Sequence, residues 1–317
     1  MDKDQFATRK IPKYMNAVRL HEAAGPAGLK YEQVETPQPK AGEVLVRVQA
    51  AAITRDELDW PVNRLPAIPS YEFSGVVSTL GSGVDDISAG ESVYALSPFD
   101  RDGAAAEYMI ISREYLAPKS KTIDHIQAAT IPLAALTAWQ GLFEHGQLIK
   151  AQRVLIHGAA GGVGNFAVQL ARIHGTYVIG TVSTSNLPAA HKLGMDEIID
   201  DTETRFEQVV RETDLVFDTT GGDRLERSYS VLRPGGRLVS VASEPSQEQA
   251  TAHGIKGIYF VVRPNGEQLT ELAKLVDQGQ LKTAIDRVFP LANAREAFER
   301  SLTAHAAGKI VLRMADK

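Results

Sequence analysis

Residues 153–172 read RVLIHGAAGGVGNFAVQLAR. The apolar run Val154, Leu155 and Ile156 stops at His157 and Gly158, three further glycines (Gly161, Gly162, Gly164) follow, and Phe166, Val168, Leu170 and Ala171 then carry a helical pattern. The pattern predicts a strand, a tight glycine turn and a helix. Such a turn lets the backbone approach a pyrophosphate closely, while the helix N-terminus offers free N–H groups and the positive end of a dipole. Dinucleotide binding is the chemistry this suggests; the alternative is a sharp turn that uses glycine for φ > 0 and holds no ligand. Legible strand and helix patterns on both sides, with more strand and helix units following, favour the first reading.

Working outward, strands are expected near 153–157, 177–182, 196–199, 214–218, 237–241 and 257–262, with helical patterns between most of them. Six strands joined by crossovers imply a doubly wound, six-stranded parallel sheet of the Rossmann type. Upstream, residues 17–21, 43–50, 74–80, 92–96 and 107–111 read as short strands. In 43–50, Val44, Val46 and Val48 alternate inward against Leu45, Arg47 and Gln49. Residues 14 to about 120 therefore predict a twisted, mostly antiparallel sheet domain. Residues 127–146 carry helical spacing interrupted by Pro132, which predicts a pair of helices bridging into the next domain. Helices at 269–278 and 293–302 and a strand at 309–313 are assigned back to the first domain, because the nucleotide sheet is already complete. The expected organisation is a flexible leader at 1–13, a discontinuous domain of 14–142 and 263–317, and a dinucleotide-binding domain of 143–262. Ligands are expected in the cleft between the two domains.

Two domains are natural for 317 residues, and 44% hydrophobic with 23% charged residues excludes a disordered chain. A net charge of −5 gives no electrostatic reason to expect nucleic acid or an anionic membrane as partner. The chain has no cysteine, which removes disulfides, thiolate nucleophiles and every Cys-based metal site. Its eight histidines include no pair closer than 12 positions, so no helical His pair for a metal exists, and no metal is expected. The N-terminal residues MDKDQFATRKIPK lack an apolar targeting core, and Pro132 breaks the most apolar stretch. A cytoplasmic protein is expected.

The ribose end of the site speaks to the choice of cofactor. NAD sites place an acidic residue at the end of the second strand, about 20 residues after the glycines, to bind both ribose hydroxyls. Here that strand ends in Ser183, Thr184, Ser185 and Asn186. With no carboxylate to repel a 2′-phosphate and several hydroxyls to bind one, NADPH is favoured over NADH. No arginine or lysine occupies 183–187, leaving Lys192 or Arg205 to reach in. The same residues also suit a helix cap.

The ordered motifs GEVLVRVQAAAI, YEFSGVV, AAEYMII, PLAALTAW, GAAGGVG, DTTGG, LRPGGRLVSV and GKIVL resemble the medium-chain dehydrogenase/reductase superfamily, in its zinc-free quinone oxidoreductase (zeta-crystallin-like) branch. The resemblance spans residues 14–317 and implies a GroES-like catalytic domain beside the Rossmann domain. In the superfamily's zinc alcohol dehydrogenases a cysteine stands at the position of Thr54 and a histidine at that of Tyr71, just before Glu72. The structural-zinc lobe would fall where this chain has only SPFDRDGAAA. A zinc-independent reductase of quinones or α,β-unsaturated carbonyls is implied, with hydride passing from NADPH in the cleft. The alternatives are an enoyl-thioester or alkenal reductase of the same fold, or a non-catalytic NADPH-binding sensor or structural protein.

The resemblance also assigns candidate residues. Thr54, where quinone oxidoreductases often carry asparagine, is a candidate hydrogen-bond donor to the substrate, and Tyr71 is either a donor or an aromatic wall. Thr137 matches the threonine beside the nicotinamide ribose, and Ala160, Gly161, Gly162 and Val163 match the pyrophosphate turn. Ser183, Thr184 and Ser185 fall at the 2′-phosphate. Thr219 with Gly221, Val241 with Ala242, and Phe260 with Val261 fall at later strand ends that touch the cofactor in relatives. Relatives carry a basic residue near Ser185 and a tyrosine at the position of Asp201, whose carboxylate here would oppose a 2′-phosphate. Asp56, Glu57 and Asp59 beside Trp60 and Arg55 read as a solvated acidic face near the substrate mouth. A homodimer is implied, formed by the edge strand near 257–262.

Overall fold

The computed structural model describes residues 10–303 and 308–314, so most of the expected leader lies outside the described residues. The chain divides into two compact units, one of Met1–Leu133, Arg263–Gly279 and Thr283–Lys317, the other of Ala134–Val262 and Gln280–Lys282. The first unit opens with seven strands: β1 (Tyr14–Leu20), β2 (Leu29–Glu35), β3 (Glu43–Ile53), β4 (Glu72–Leu80), β5 (Ser92–Leu96), β6 (Tyr108–Ser112) and β7 (Ala117–Pro118). The second carries β8 (Arg153–His157), β9 (Tyr177–Val182), β10 (Glu197–Asp200), β11 (Thr213–Asp218), β12 (Leu232–Ser240) and β13 (Lys256–Tyr259). The chain then returns to the first unit for β14 (Ile285–Pro290) and β15 (Lys309–Arg313).

In the first unit β1 and β2 form an antiparallel pair, and the main sheet runs β14-β15-β3-β4-β5-β7 with β6 also paired to β3. All pairings of this sheet are antiparallel except β14 with β15. β3 is the centre. Val44, Val46 and Val48 are buried as expected, but Leu45 is fully buried too, so the simple inside–outside alternation is corrected. Register shifts opposite Val46 and Ala50 reset the pleat. Beyond them Ala51 and Ile53 face the main core, while Ala50 and Ala52 pack with Ala129 and Val311 in a smaller core on the other side. A strand covered on both faces does not alternate in sequence. β2 and β14 escaped the sequence reading for the opposite reason: both are largely exposed, so neither carries an apolar run.

The second unit holds the six expected parallel strands in the order β10-β9-β8-β11-β12-β13. The predicted strand at 257–262 ends at Tyr259, which leaves Phe260 and Val261 just beyond the sheet. Helix Pro132–Trp139 continues into wider turns over Gln140–His145. This stretch belongs to the second unit, because Gly141 and Gly146 lie so close to β11 that a Cβ would come within 2.4 Å of Phe217 and 2.7 Å of Leu215. The boundary therefore falls at 133/134 rather than the expected 142/143. Among the described residues, no helix is long and apolar enough to cross a membrane.

Candidate active site

In a parallel sheet every strand ends on the same edge, so residues that follow β8, β9, β11, β12 and β13 are gathered there by topology alone. β8 sits where the strand order reverses, with β9 on one side and β11 on the other; such a switch point opens a crevice for a ligand. Gly158, at φ +69°, turns the chain out of β8, and extended Gly161 leads into helix Gly162–Ile173. A Cβ on Gly164 would come 2.1 Å from the Gly158 carbonyl oxygen, so only glycine lets the helix pack this close to the turn. Ala160 is buried beneath the turn, while Gly161, Gly162 and Val163 are half-exposed. The Gly161 amide closes the turn by donating to the Gly158 carbonyl at 2.9 Å, while the Gly162 and Val163 amides open the helix and lack intrahelical acceptors. This backbone cradle fits a pyrophosphate.

The other predicted positions fall around the same edge. Thr219 donates its hydroxyl to the His157 carbonyl at 2.8 Å and so ties the end of β11 to the glycine turn. Val241 donates its N–H to the Asp218 carbonyl at 3.1 Å, and Ala242 donates its own to Ser240 Oγ at 3.2 Å. Phe260 stacks on His145 at 4.4 Å between ring centroids, and Val261 is exposed. Thr137 is buried on helix Pro132–Trp139. Sequence reasoning missed Asp218, the residue before Thr219. Fully buried, its carboxylate accepts from the Thr220 and Gly221 amides, both at 3.0 Å, and from Ser240 Oγ at 2.8 Å. It holds the ends of β11 and β12 in place.

At the ribose end the expectations need correction. Ser183 Oγ lies 3.1 Å from Ser185 Oγ and accepts from Asn186 Nδ2 at 3.2 Å, and no side chain here caps a helix amide. A carboxylate does stand at this point. Asp200, at the end of β10, accepts from Thr184 Oγ1 at 2.7 Å, and this bond with those from Thr202 holds its carboxyl below the usual range. It was invisible in the sequence because it arrives from the neighbouring strand, 16 residues away. Asp201, expected to oppose a phosphate, is instead neutralised by Arg224 Nε at 2.6 Å. The basic group near the ribose end is thus Arg224; Arg205 is engaged by Glu207 at 2.5 Å, and Lys192 is exposed.

The first unit brings Thr54 and Tyr71 together through a residue read as part of a solvated face. Asp56 and Asp59 are exposed, but Glu57 between them is buried. Its side chain turns inward to accept the Thr54 amide at 2.8 Å and the Ser70 amide at 2.9 Å, clamping the exit of β3 to the residue before Tyr71. Ser70 adopts φ +67°, a strained conformation for a non-glycine residue. Tyr71 is buried and its ring contacts Trp60 at 6.0 Å and Phe99 at 5.2 Å between centroids, so it forms part of an aromatic wall. Burial, with Glu57 and Asp102 nearby, pushes its phenol up to about 12, which keeps it neutral. Thr54 is half-buried. Among the described residues, no group of three or more His, Cys, Asp or Glu side chains is placed to hold a metal ion.

Buried titratable groups on both units give stability a calculable pH dependence. Burial pushes His157, bonded to Thr181 and Ser228, and also His125 from 6.5 down to about 4. Burial pushes Glu57 up from 4.5 to about 8, outweighing the Thr54 amide bond. Between pH 4.5 and 6.5 the unfolded chain holds both histidine protons and the folded chain holds only the Glu57 proton, so stability falls as pH falls. Between 6.5 and about 8 only the folded Glu57 holds a proton, so stability falls as pH rises. Unfolding midpoints are therefore expected to peak near pH 6.5. Glu57→Gln should flatten the alkaline limb and steepen the acid one, because the folded Glu57 proton offsets one histidine proton there, and a midpoint still rising from pH 6.5 to 8 would refute the assignment.

Comparison with known proteins agrees with this architecture. The alcohol dehydrogenase GroES-like domain family matches residues 40–121, and the zinc-binding dehydrogenase family matches residues 193–312. The chain is 31% identical over 325 residues to a probable zinc-binding oxidoreductase, mitochondrial, of Arthroderma benhamiae, covering 96% of this chain and 98% of that protein. It is 33% identical over 324 residues to the NADPH-dependent alkenal/one oxidoreductase, chloroplastic, of Arabidopsis thaliana, covering 96% of this chain and 81% of that one. The solved structure of the quinone oxidoreductase from Coxiella burnetii superposes with a TM-score of 0.88 at 32% identity, covering 96% of this chain and 100% of that one. With the Rossmann-like sheet, the glycine turn at its switch point and the GroES-like unit, these matches identify the chain as an oxidoreductase of the medium-chain dehydrogenase/reductase superfamily, in its quinone oxidoreductase-like branch.

Proposed function

We propose that this protein is an NADPH-dependent, zinc-independent reductase of quinones or α,β-unsaturated carbonyl compounds. The observation that carries this reading is the Glu57 clamp, which sets the Thr54 hydroxyl at the exit of β3 and the Trp60, Tyr71 and Phe99 wall in one unit. A half-buried hydroxyl beside an apolar aromatic surface suits a planar substrate whose oxygen gains negative charge. When bound, the dihydronicotinamide supplies a hydride. Gly161, Gly162 and Val163 hold the pyrophosphate, and Thr219 and Asp218 brace the turn and strand ends that orient the ribose. Thr54 Oγ1 donates to the carbonyl oxygen, in place of a metal Lewis acid, and the aromatic wall limits water around the reacting carbons. Water supplies the proton that completes reduction.

Ser183 and Ser185 favour a 2′-phosphate while Asp200 opposes one, both by its charge and by taking the Thr184 hydroxyl hydrogen, so a modest preference for NADPH follows. Asp200→Asn should widen the NADPH-over-NADH ratio by about threefold, since a screened like charge is removed. Cofactor oxidation by the purified protein with an ortho-quinone or crotonaldehyde, with a chelator present throughout, tests the reading. Chelator-resistant turnover preferring NADPH is expected. Activity lost to the chelator would remove zinc independence, and binding of NADPH without turnover on either substrate would remove the enzymatic assignment. Edge strand β13, next to exposed Tyr259 and Val261, is proposed to pair with its copy in a homodimer; light scattering that shows a monomer would refute this.

A further inference from the structure

Lys309 begins β15, where Ile310 pairs with Ile53, so the lysine stands beside Thr54 at the end of β3. Its side chain is 9% exposed and its ammonium is shared between two oxygens. Nζ lies 2.6 Å from Glu72 Oε1 and 3.1 Å from Thr54 Oγ1. Glu72, 1% exposed at its side chain, is held in turn by the Leu133 amide on Oε2 at 2.9 Å. A buried ion pair alone is a poor source of stability. The second contact gives this one a use.

A threonine hydroxyl has one hydrogen and two lone pairs, and an ammonium only donates. At 3.1 Å from Nζ, Thr54 Oγ1 is therefore the acceptor, and its own hydrogen points away from the lysine. The Thr54 amide is already taken by Glu57, so main chain and hydroxyl are both fixed. We propose that Lys309 is a positioning residue that locks the Thr54 hydroxyl in its donor orientation and strengthens it by charge-assisted, cooperative hydrogen bonding toward a substrate oxygen gaining negative charge. Glu72 balances the ammonium so that it is kept at this depth. The inference rests on the reductase reading proposed above and specifies a carbonyl or quinone oxygen as the group received by Thr54.

The experiment follows NADPH oxidation in a single turnover with crotonaldehyde or 1,4-benzoquinone. Lys309→Met alone leaves the Glu72 carboxylate buried without its cation, so Glu72→Gln/Lys309→Met is used to remove both charges together, and its folding is checked by thermal unfolding. Thr54→Val should slow reduction about 100-fold, the usual loss of one oxyanion donor, and Thr54→Ser should stay within about threefold of wild type. The double variant should lose about tenfold in kcat with KM and NADPH affinity nearly unchanged. Added to Thr54→Val, it should cost at most about twofold more, because Lys309 acts only through that hydroxyl. Multiplying losses, or a double variant as fast as wild type, would overturn the role of Lys309. If the double variant fails to fold, Lys309→Arg replaces it: a planar guanidinium cannot reproduce the ammonium geometry, and a rate equal to wild type overturns the proposal. Wild-type protein inert on both substrates overturns the reductase reading and this inference together; active wild type with an equally active Thr54→Val overturns this inference alone.

Discussion

Gly162→Asp is expected to leave the protein folded and abolish dinucleotide binding. Gly162 is the first residue of helix Gly162–Ile173, after extended Gly161, and its φ is not in the left-handed region, so the backbone there does not require glycine. An aspartate there meets the positive end of the helix dipole, which stabilises the helix by about 0.3–1 kcal/mol. The same carboxylate occupies the anion site with a charge of the wrong sign for a pyrophosphate. Two like charges a few ångströms apart near a surface cost about 3 kcal/mol, or roughly 100-fold in affinity. Fluorescence titration with NADPH should show that loss with an unchanged or slightly raised unfolding midpoint. Undiminished affinity would remove the pyrophosphate from this turn. Gly164→Val separates the two effects, since its side chain collides with the Gly158 carbonyl, and stability and binding should then fall together.

The second large effect is expected at Asp218. Its removal leaves the buried donors of Gly221 and Ser240, and the half-buried amide of Thr220, without their acceptor. Asp218→Ala should cost about 3–5 kcal/mol, since hydrogen bonds to charged groups and orphaned buried donors each weigh more than an exposed contact. Asparagine does not rescue it: Ser240 Oγ already accepts from the Ala242 and Ser243 amides, so it has no lone pair for the new NH₂ group. Denaturant unfolding of both variants checks this, and a loss below about 1 kcal/mol in Asp218→Ala would show that water replaces the carboxylate.

The parts of the site that were legible in the chain are those whose signal is local. The glycine turn is written in consecutive residues, and its place on the sheet follows from strand periodicity and the rule for parallel crossovers. Thr54 and Tyr71 were singled out by resemblance, and the aromatic surroundings of Tyr71 needed coordinates because Trp60 and Phe99 come from separate loops. Glu57 misled because three acids in four positions have the composition of a solvated face, and only the turn after β3 shows that one points inward. β2 and β14 were missed because exposed strands need no apolar alternation.

By itself, then, the sequence determined the six-stranded parallel sheet, the mostly antiparallel unit and the glycine turn between strand and helix, since hydrophobic period and glycine placement act over a few residues. Only the tertiary structure decided the charge arrangement. Lys309 meets Thr54 across 255 positions, Arg224 reaches Asp201 across 23, and Asp200 reaches Thr184 across 16. Coulombic and hydrogen-bond energies depend on distance in space and on burial, and strand pairing sets both.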